Sequence, residues 1–209
     1  MIENNYKEII EKAIQENLQI RENQDGWKEQ MNKENFKMSF KKYLDHKVNL
    51  SKIESILPVN LEKATQFYYE RLDLQKLCRS KCINFENIET IDKDTYAFLF
   101  RTEQILVISG REIIGVQHKK QLNDNEVLIV RSNIPNHPKV THTQTQEEVV
   151  RADQVVFSIF LTKIDDNSTK YLMYSLMDPK GKIPKPLIKQ LLLKQYDVFK
   201  KELVELQKM

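Results

Sequence analysis

The chain has 209 residues, 40% of them hydrophobic and 30% charged, which is long enough for one ordinary core and too apolar for disorder. Its 33 basic and 30 acidic residues leave a formal net charge of +3, which argues against a nucleic-acid binder, since these gather a strong basic excess on one face. Two cysteines cannot make a disulfide framework and suit a reducing compartment, and four glycines leave no Gly-rich phosphate cradle.

The N-terminal segment carries Glu3, Lys7 and Glu8 and no apolar stretch, so it reads as neither a secretory signal nor a transit peptide. Tyr6, Ile9, Ile10, Ala13, Ile14 and Leu18 then recur at helical spacing, predicting an N-terminal helix within 1–24 that Asn23-Gln24-Asp25-Gly26 ends. Next, Phe36, Met38 and Phe40 alternate with Lys37, Ser39 and Lys41 as in a half-buried strand, and a second strand runs from Val48 to Leu57. Asn60 is placed to cap a helix whose Ala64, Phe67, Tyr68 and Leu72 share a face, and Asp73 to cap a short helix. That short helix is expected to carry both cysteines. Cys78 and Cys82 are spaced one helical turn apart and could form half a metal site, but no second CxxC or HxxxH completes it. The alternative reading is a pair of small buried hydrophobes.

Six strands follow: Phe85 to Ile91, Thr95 to Arg101, Glu112 to Lys119, Val127 to Arg131, Val150 to Ile164 and Tyr171 to Met177, joined by polar turns as in a meander. A longer loop from Ser132 to Glu148 holds Pro135, His137, Pro138 and His142. A last helix starts at Pro184, where a missing N–H costs little, with Leu187, Ile188, Leu191, Gln195, Val198, Phe199 and Leu203 along one face. No apolar run approaches the 18 or more residues of a membrane span. The expectation is a soluble, cytoplasmic protein whose residues 1–209 form a single domain.

Particular motifs narrow the fold. Ser109-Gly110-Arg111-Glu112-Ile113-Ile114 enters a strand from a loop. Arg131-Ser132 precedes Pro135 and Pro138, and Val150-Arg151-Ala152 comes after them. Met177-Asp178-Pro179-Lys180-Gly181-Lys182-Ile183-Pro184-Lys185-Pro186-Leu187-Ile188 leads into the last helix, and Trp27 stands early. In this order the motifs resemble those of the StAR-related lipid-transfer (START) family. The chain departs from that family at Leu77-Cys78, where a Trp-Asp pair is usual, and at Glu112, where Asp follows the loop Arg.

The resemblance implies an α+β helix-grip (Bet v 1-like) fold, in which a curved antiparallel sheet wraps a long C-terminal gating helix (182–209) around a lipid cavity. The loop from Glu103 to Gly110 would pack on that helix as a gate. On the strand from Thr95 to Arg101, the parity of Tyr96, Phe98 and Phe100 matches the family's cavity-facing positions, and Gln117 takes the inward place on the next strand. Sterol-transporting members often carry an acid and an arginine where Phe98 and Gln117 stand, so phospholipid is the first expectation for the ligand and sterol a weaker one. Leu187, Ile188 and Leu191 would close the tunnel, with Tyr174 offering a hydroxyl. These side chains can equally be read as packed core.

Lys180, Lys182, Lys185 and Lys189 read either as solvated surface or as a transient contact with an anionic membrane. Arg111 and Arg151 read as structural, paired with acids such as Asp178. His46, His118, His137 and His142 form no catalytic pattern, and no polar pair facing the cavity is expected. No cofactor or metal is implied. The functional expectation is therefore a non-enzymatic binder of one lipid or other hydrophobic ligand, for transfer between membranes or for sensing. The alternative is a non-catalytic scaffold or subunit of a larger, membrane-associated assembly that keeps the fold and has a protein partner.

Overall fold

A computed structural model describes residues 3–104, 108–140, 149–181 and 183–209. The helix α1 (Glu3–Glu22) comes first, followed by β1 (Lys28–Lys33), β2 (Phe36–Lys41) and β3 (Leu50–Leu57). Two short helices, α2 (Leu61–Tyr69) and α3 (Leu72–Cys78), cross to the far edge of the sheet. There β4 (Cys82–Asp92), β5 (Thr95–Thr102), β6 (Gly110–Asn123) and β7 (Glu126–Asn133) run as a meander. β8 (Val149–Arg151), β9 (Asp153–Lys163) and β10 (Thr169–Asp178) follow, and α4 (Lys185–Leu193) and α5 (Gln195–Lys208) end the chain.

The strands hydrogen-bond in the order β1-β2-β3-β10-β9-β7-β6-β5-β4, with β8 lying parallel to the start of β6. β10 therefore returns to pair with β3 and unites the N-terminal strands with the meander. Both faces of the sheet are covered, so its strands are apolar in both parities. On one face, Tyr6, Ile10, Ala13 and Ile14 of α1 pack against Leu99, Ile114, Leu128 and Phe160. On the other face lie α2, α3 and the terminal helices, with Phe36, Phe67, Phe98, Phe157 and Phe199 in one buried cluster. This is the helix-grip arrangement, an α+β fold.

Several local features depart from the sequence reading. β1 follows directly on Trp27 although Lys28-Glu29-Gln30-Met31-Asn32-Lys33 has no apolar alternation; it is an edge strand held by its ladder to β2. The strand expected from Val150 to Ile164 breaks at buried Ala152, whose amide donates to Glu112 O at 2.9 Å. The segment before Ala152 pairs with β6 and the segment after it pairs with β7 and β10. Arg71, not Asp73, stands at the N-cap of α3, and Asp73 pairs with it at 2.6 Å; the helix ends at Cys78, so it carries one cysteine, and Cys82 opens β4 instead.

The terminal helix is interrupted at Lys194. The break lets α5 pack on α2 and α3 while α4 takes a separate course. Arg111 does not pair with Asp178: its guanidinium donates to the carbonyls of Pro179 and Ser109, each at 2.5 Å, and of Lys180 at 3.3 Å. These bonds hold the turn into α4, which Gly181 enables with φ +68°. Arg151 pairs with buried Glu112 at 2.8 Å.

Candidate functional site: a cavity between sheet and terminal helices

A cavity of about 250 Å³ separates the sheet from the terminal helices. Strand alternation sets its walls. On β5 the parity of Phe98 and Phe100 faces inward, as do Ile113 on β6, Phe157 and Ile159 on β9, and Tyr171, Met173 and Met177 on β10. Ile188, Leu191 and Leu192 of α4 close one side, and Leu191 stays 40% exposed, so the apolar wall reaches solvent there. The mostly hydrocarbon lining suits a ligand that is itself largely hydrocarbon.

At the end bounded by α5, α2 and α3 the lining turns polar. Glu202, only 3% exposed, pairs with Arg79 at 2.7 Å and accepts from the Tyr68 hydroxyl at 3.3 Å. Arg131 reaches in from β7, its guanidinium 4.2 Å from the centre of the Phe157 ring and 4.9 Å from that of Phe85. Its Nε donates to Gln117 Oε1 and its Nη2 to Gln75 Oε1 at 3.3 Å. Burial pushes the Arg131 guanidinium down to about 10, still protonated at neutral pH. Burial, and then the nearby Glu202 carboxylate, hold the phenols of Tyr68 and Tyr171 well above their ordinary range, so both remain neutral hydroxyls.

The sequence-predicted residues divide by position. Phe98, Phe100, Ile188 and Leu191 line the cavity, whereas half-buried Leu187 is not in its wall. Tyr96 lies on the same face of the sheet but packs beneath α2, donating its hydroxyl to Tyr69 O at 2.5 Å. Gln117 is fully buried and its amide is committed. Nε2 donates to Tyr69 O at 3.1 Å and to the Tyr96 hydroxyl, and Oε1 accepts from Arg131. Gln117 thus positions Arg131 and does not itself line the cavity.

Tyr174 requires a correction. It has the opposite parity to Tyr171 and Met173, and it lies on the α1 face between Trp27 (5.7 Å between ring centres) and Phe160 (6.2 Å). Its hydroxyl meets Gln24 Nε2 at 3.4 Å. The expectation of no polar pair facing the cavity is also overturned, by Arg131, Arg79 and Glu202. The sequence did carry a signal for them. Arg131 ends an apolar strand, and Glu202 sits on the face of α5 that also buries Phe199 and Leu206. Both are charges where the pattern asks for core.

Beside Leu191 a groove lined by Lys28, Lys41, Lys42, Lys47 and Lys189 shares Val48, Ile188 and Leu192 with the cavity. No acidic side chain is among its described lining residues. Lys180, by contrast, is neutralised by Asp153 at 2.6 Å and Asp178 at 3.0 Å. Lys182 and the side chain of Lys185 lie outside the described residues, as do His142 and residues 105–107 of the expected gate. Among the described residues, no helix is long and apolar enough to cross a membrane, and no group of three or more His, Cys, Asp or Glu could hold a metal ion.

Comparison with known proteins gives this geometry a family. Human StAR-related lipid transfer protein 5 superposes with a TM-score of 0.83 at 18% identity, covering 98% of this chain and 97% of that one. Human STARD10 gives 0.77 at 14% identity over 98% and 79% of the two chains. A STAR-related lipid transfer protein fragment from Xanthomonas axonopodis gives 0.72 at 13% identity over 88% and 99%. No curated protein matches by sequence. At these identities the superpositions establish the fold, and the sequence match establishes the family: the START domain family model spans residues 8–208, and the chain belongs to that family.

Proposed function

We propose that this chain is a non-catalytic carrier that takes one lipid into the cavity, shields it from water and releases it at a membrane. The observation that carries this reading is the 250 Å³ hollow, apolar along its length and polar at one end, which the protein's own side chains leave unfilled. A hydrocarbon chain gains about 0.8 kcal/mol for each CH₂ moved from water against such walls, while the polar end fixes the head. A phospholipid fits better than a sterol, because the charged groups stand on β7 and α5 and not at Phe98 or Gln117. The lysine groove next to Leu191 supports a transient contact with an anionic membrane surface on the cytoplasmic side.

The test is extraction of lipid from labelled vesicles, followed by native mass spectrometry of the protein. One lipid per chain is expected, and its passage to acceptor vesicles should be faster with protein than without. Phe98→Arg should abolish uptake, because it sets a charge in the apolar wall that the hydrocarbon chain would lie against. A protein that never acquires lipid and runs only as part of a larger complex would favour a scaffold role instead.

A further inference from the structure

Among the described residues, the charged side chains that line the cavity are Arg79, Arg131 and Glu202, two cations and one anion. Glu202 is already matched, by Arg79 at 2.7 Å and by the Tyr68 hydroxyl. Arg131 is not. It is 7% exposed, and among the described residues no carboxylate lies within ion-pair distance of it. Of the five N–H groups of a guanidinium, the structure gives acceptors to one on Nε and one on Nη2, both neutral amide oxygens.

The rest of its surroundings are the faces of Phe85, Phe98 and Phe157. These rings attract a cation but cannot accept its remaining hydrogen bonds as an oxyanion does. Glu202 acts on Arg131 only from beyond ion-pair distance, and a buried cation with no anion in direct contact is costly. The remaining N–H groups of Arg131 have no acceptor among the described residues, and Arg131 is part of the cavity wall.

We propose that the cavity selects lipids whose head is an anion, a carboxylate or a phosphate, which pairs with Arg131. This rests on the carrier reading above and narrows it. Gln117, behind the cavity wall, and Gln75, which is part of that wall, both accept from the guanidinium, and the Gln117 amide is itself pinned by Tyr69 O and Tyr96. The fork is thus fixed before a ligand arrives, which removes part of the ordering cost of binding. Tyr171, whose hydroxyl meets the weak thioether acceptor of Met173 at 3.1 Å and also the Tyr68 side chain, is a neutral hydroxyl on the same wall. The tail would run from Arg131 along Phe98 and Met173 toward Leu191.

Competitive binding at pH 7.5 tests the proposal with four probes: oleate, lysophosphatidate, methyl oleate and monoolein. The wild-type protein should hold one or both anionic probes at least roughly 10-fold tighter than the neutral ones, the least expected of a charge-assisted hydrogen bond in a buried site. Whichever anion binds tighter identifies the head. Arg131→Gln should erase this preference while still binding methyl oleate. Binding of both anionic probes no tighter than of the neutral ones by the wild type overturns the proposal even if the variant fails to fold. So does a variant that keeps the preference. If neutral probes bind and anions do not, the carrier reading survives without this inference. If no probe binds, both fall.

Discussion

Gly115 shows how a single side chain, or its lack, shapes the cavity wall. It pairs with Phe98 across the β5–β6 ladder, so both residues point to the same face. A Cβ at Gly115 would sit 2.7 Å from the Phe98 ring and 2.6 Å from the backbone oxygen of Ser132. The ring could swing, but only into the cavity, and the backbone oxygen cannot. Gly115→Ala should therefore destabilise the fold by about 1–3 kcal/mol as overpacking does, lowering Tm by about 2–4 °C per kcal/mol for a chain of this size. It should also reduce the lipid retained per chain. Thermal melts with mass spectrometry of the bound lipid read both effects, and an unchanged Tm would mean that the strand shifts to absorb the methyl group.

At the level of elements, α2 links local helix chemistry to the polar end of the cavity. Asn60 has extended backbone dihedrals, and its side chain accepts from Lys63 N at 2.9 Å, satisfying one of the amides that a helix start leaves open. The helix it starts delivers the Tyr68 hydroxyl to Glu202 and the Tyr69 carbonyl to Tyr96 and Gln117. Asn60→Ala should cost about 1 kcal/mol and Asn60→Ser much less, a difference that denaturant melts of the two variants resolve. Equal stability of Ala and Ser would show that tertiary packing alone holds the turn.

This cap was readable in the sequence because it depends on one residue next to an apolar period. The inward parity of β5 and the closing role of Ile188 and Leu191 could also be read, through the family motifs. The inward parity of β10 could not. Tyr171, Leu172, Met173, Tyr174, Ser175 and Leu176 are apolar in both parities because α1 covers one face and the cavity side covers the other, so alternation cannot say which way Tyr174 points. The polar cluster was missed for another reason. Arg131, Glu202 and Arg79 come from three distant segments and meet only when α5 closes over the sheet, whereas spacing rules see neighbours in the chain.

For the molecule as a whole, a formal charge of +3 conceals an uneven distribution. Some described lysines are paired, as at Lys180, and others are not; Lys28, Lys42, Lys47 and Lys189 enter no ion pair among the described residues and gather with Lys41 in one groove. They surround the part of the surface where the cavity wall emerges at Ile188 and Leu192. With no acidic side chain among its described lining residues, this groove should draw that face of the protein toward an anionic surface. Each lysine near the headgroups contributes about 1 kcal/mol. Replacing Lys28, Lys47 and Lys189 together by Gln should then cost about 3 kcal/mol, roughly 100-fold in affinity for anionic vesicles.

None of the three lysines lines the cavity, so lipid already bound should be unaffected. Flotation with anionic and neutral vesicles at low and high salt measures the first quantity, and native mass spectrometry of the same samples measures the second. Because the Debye length falls from about 10 Å at 0.1 M salt to about 3 Å at 1 M, wild-type binding should weaken steeply across that range. The triple variant, already weak, should change little. Wild-type flotation that is indifferent to lipid charge and to salt would remove the groove from the mechanism and leave the apolar rim around Leu191 as the contact.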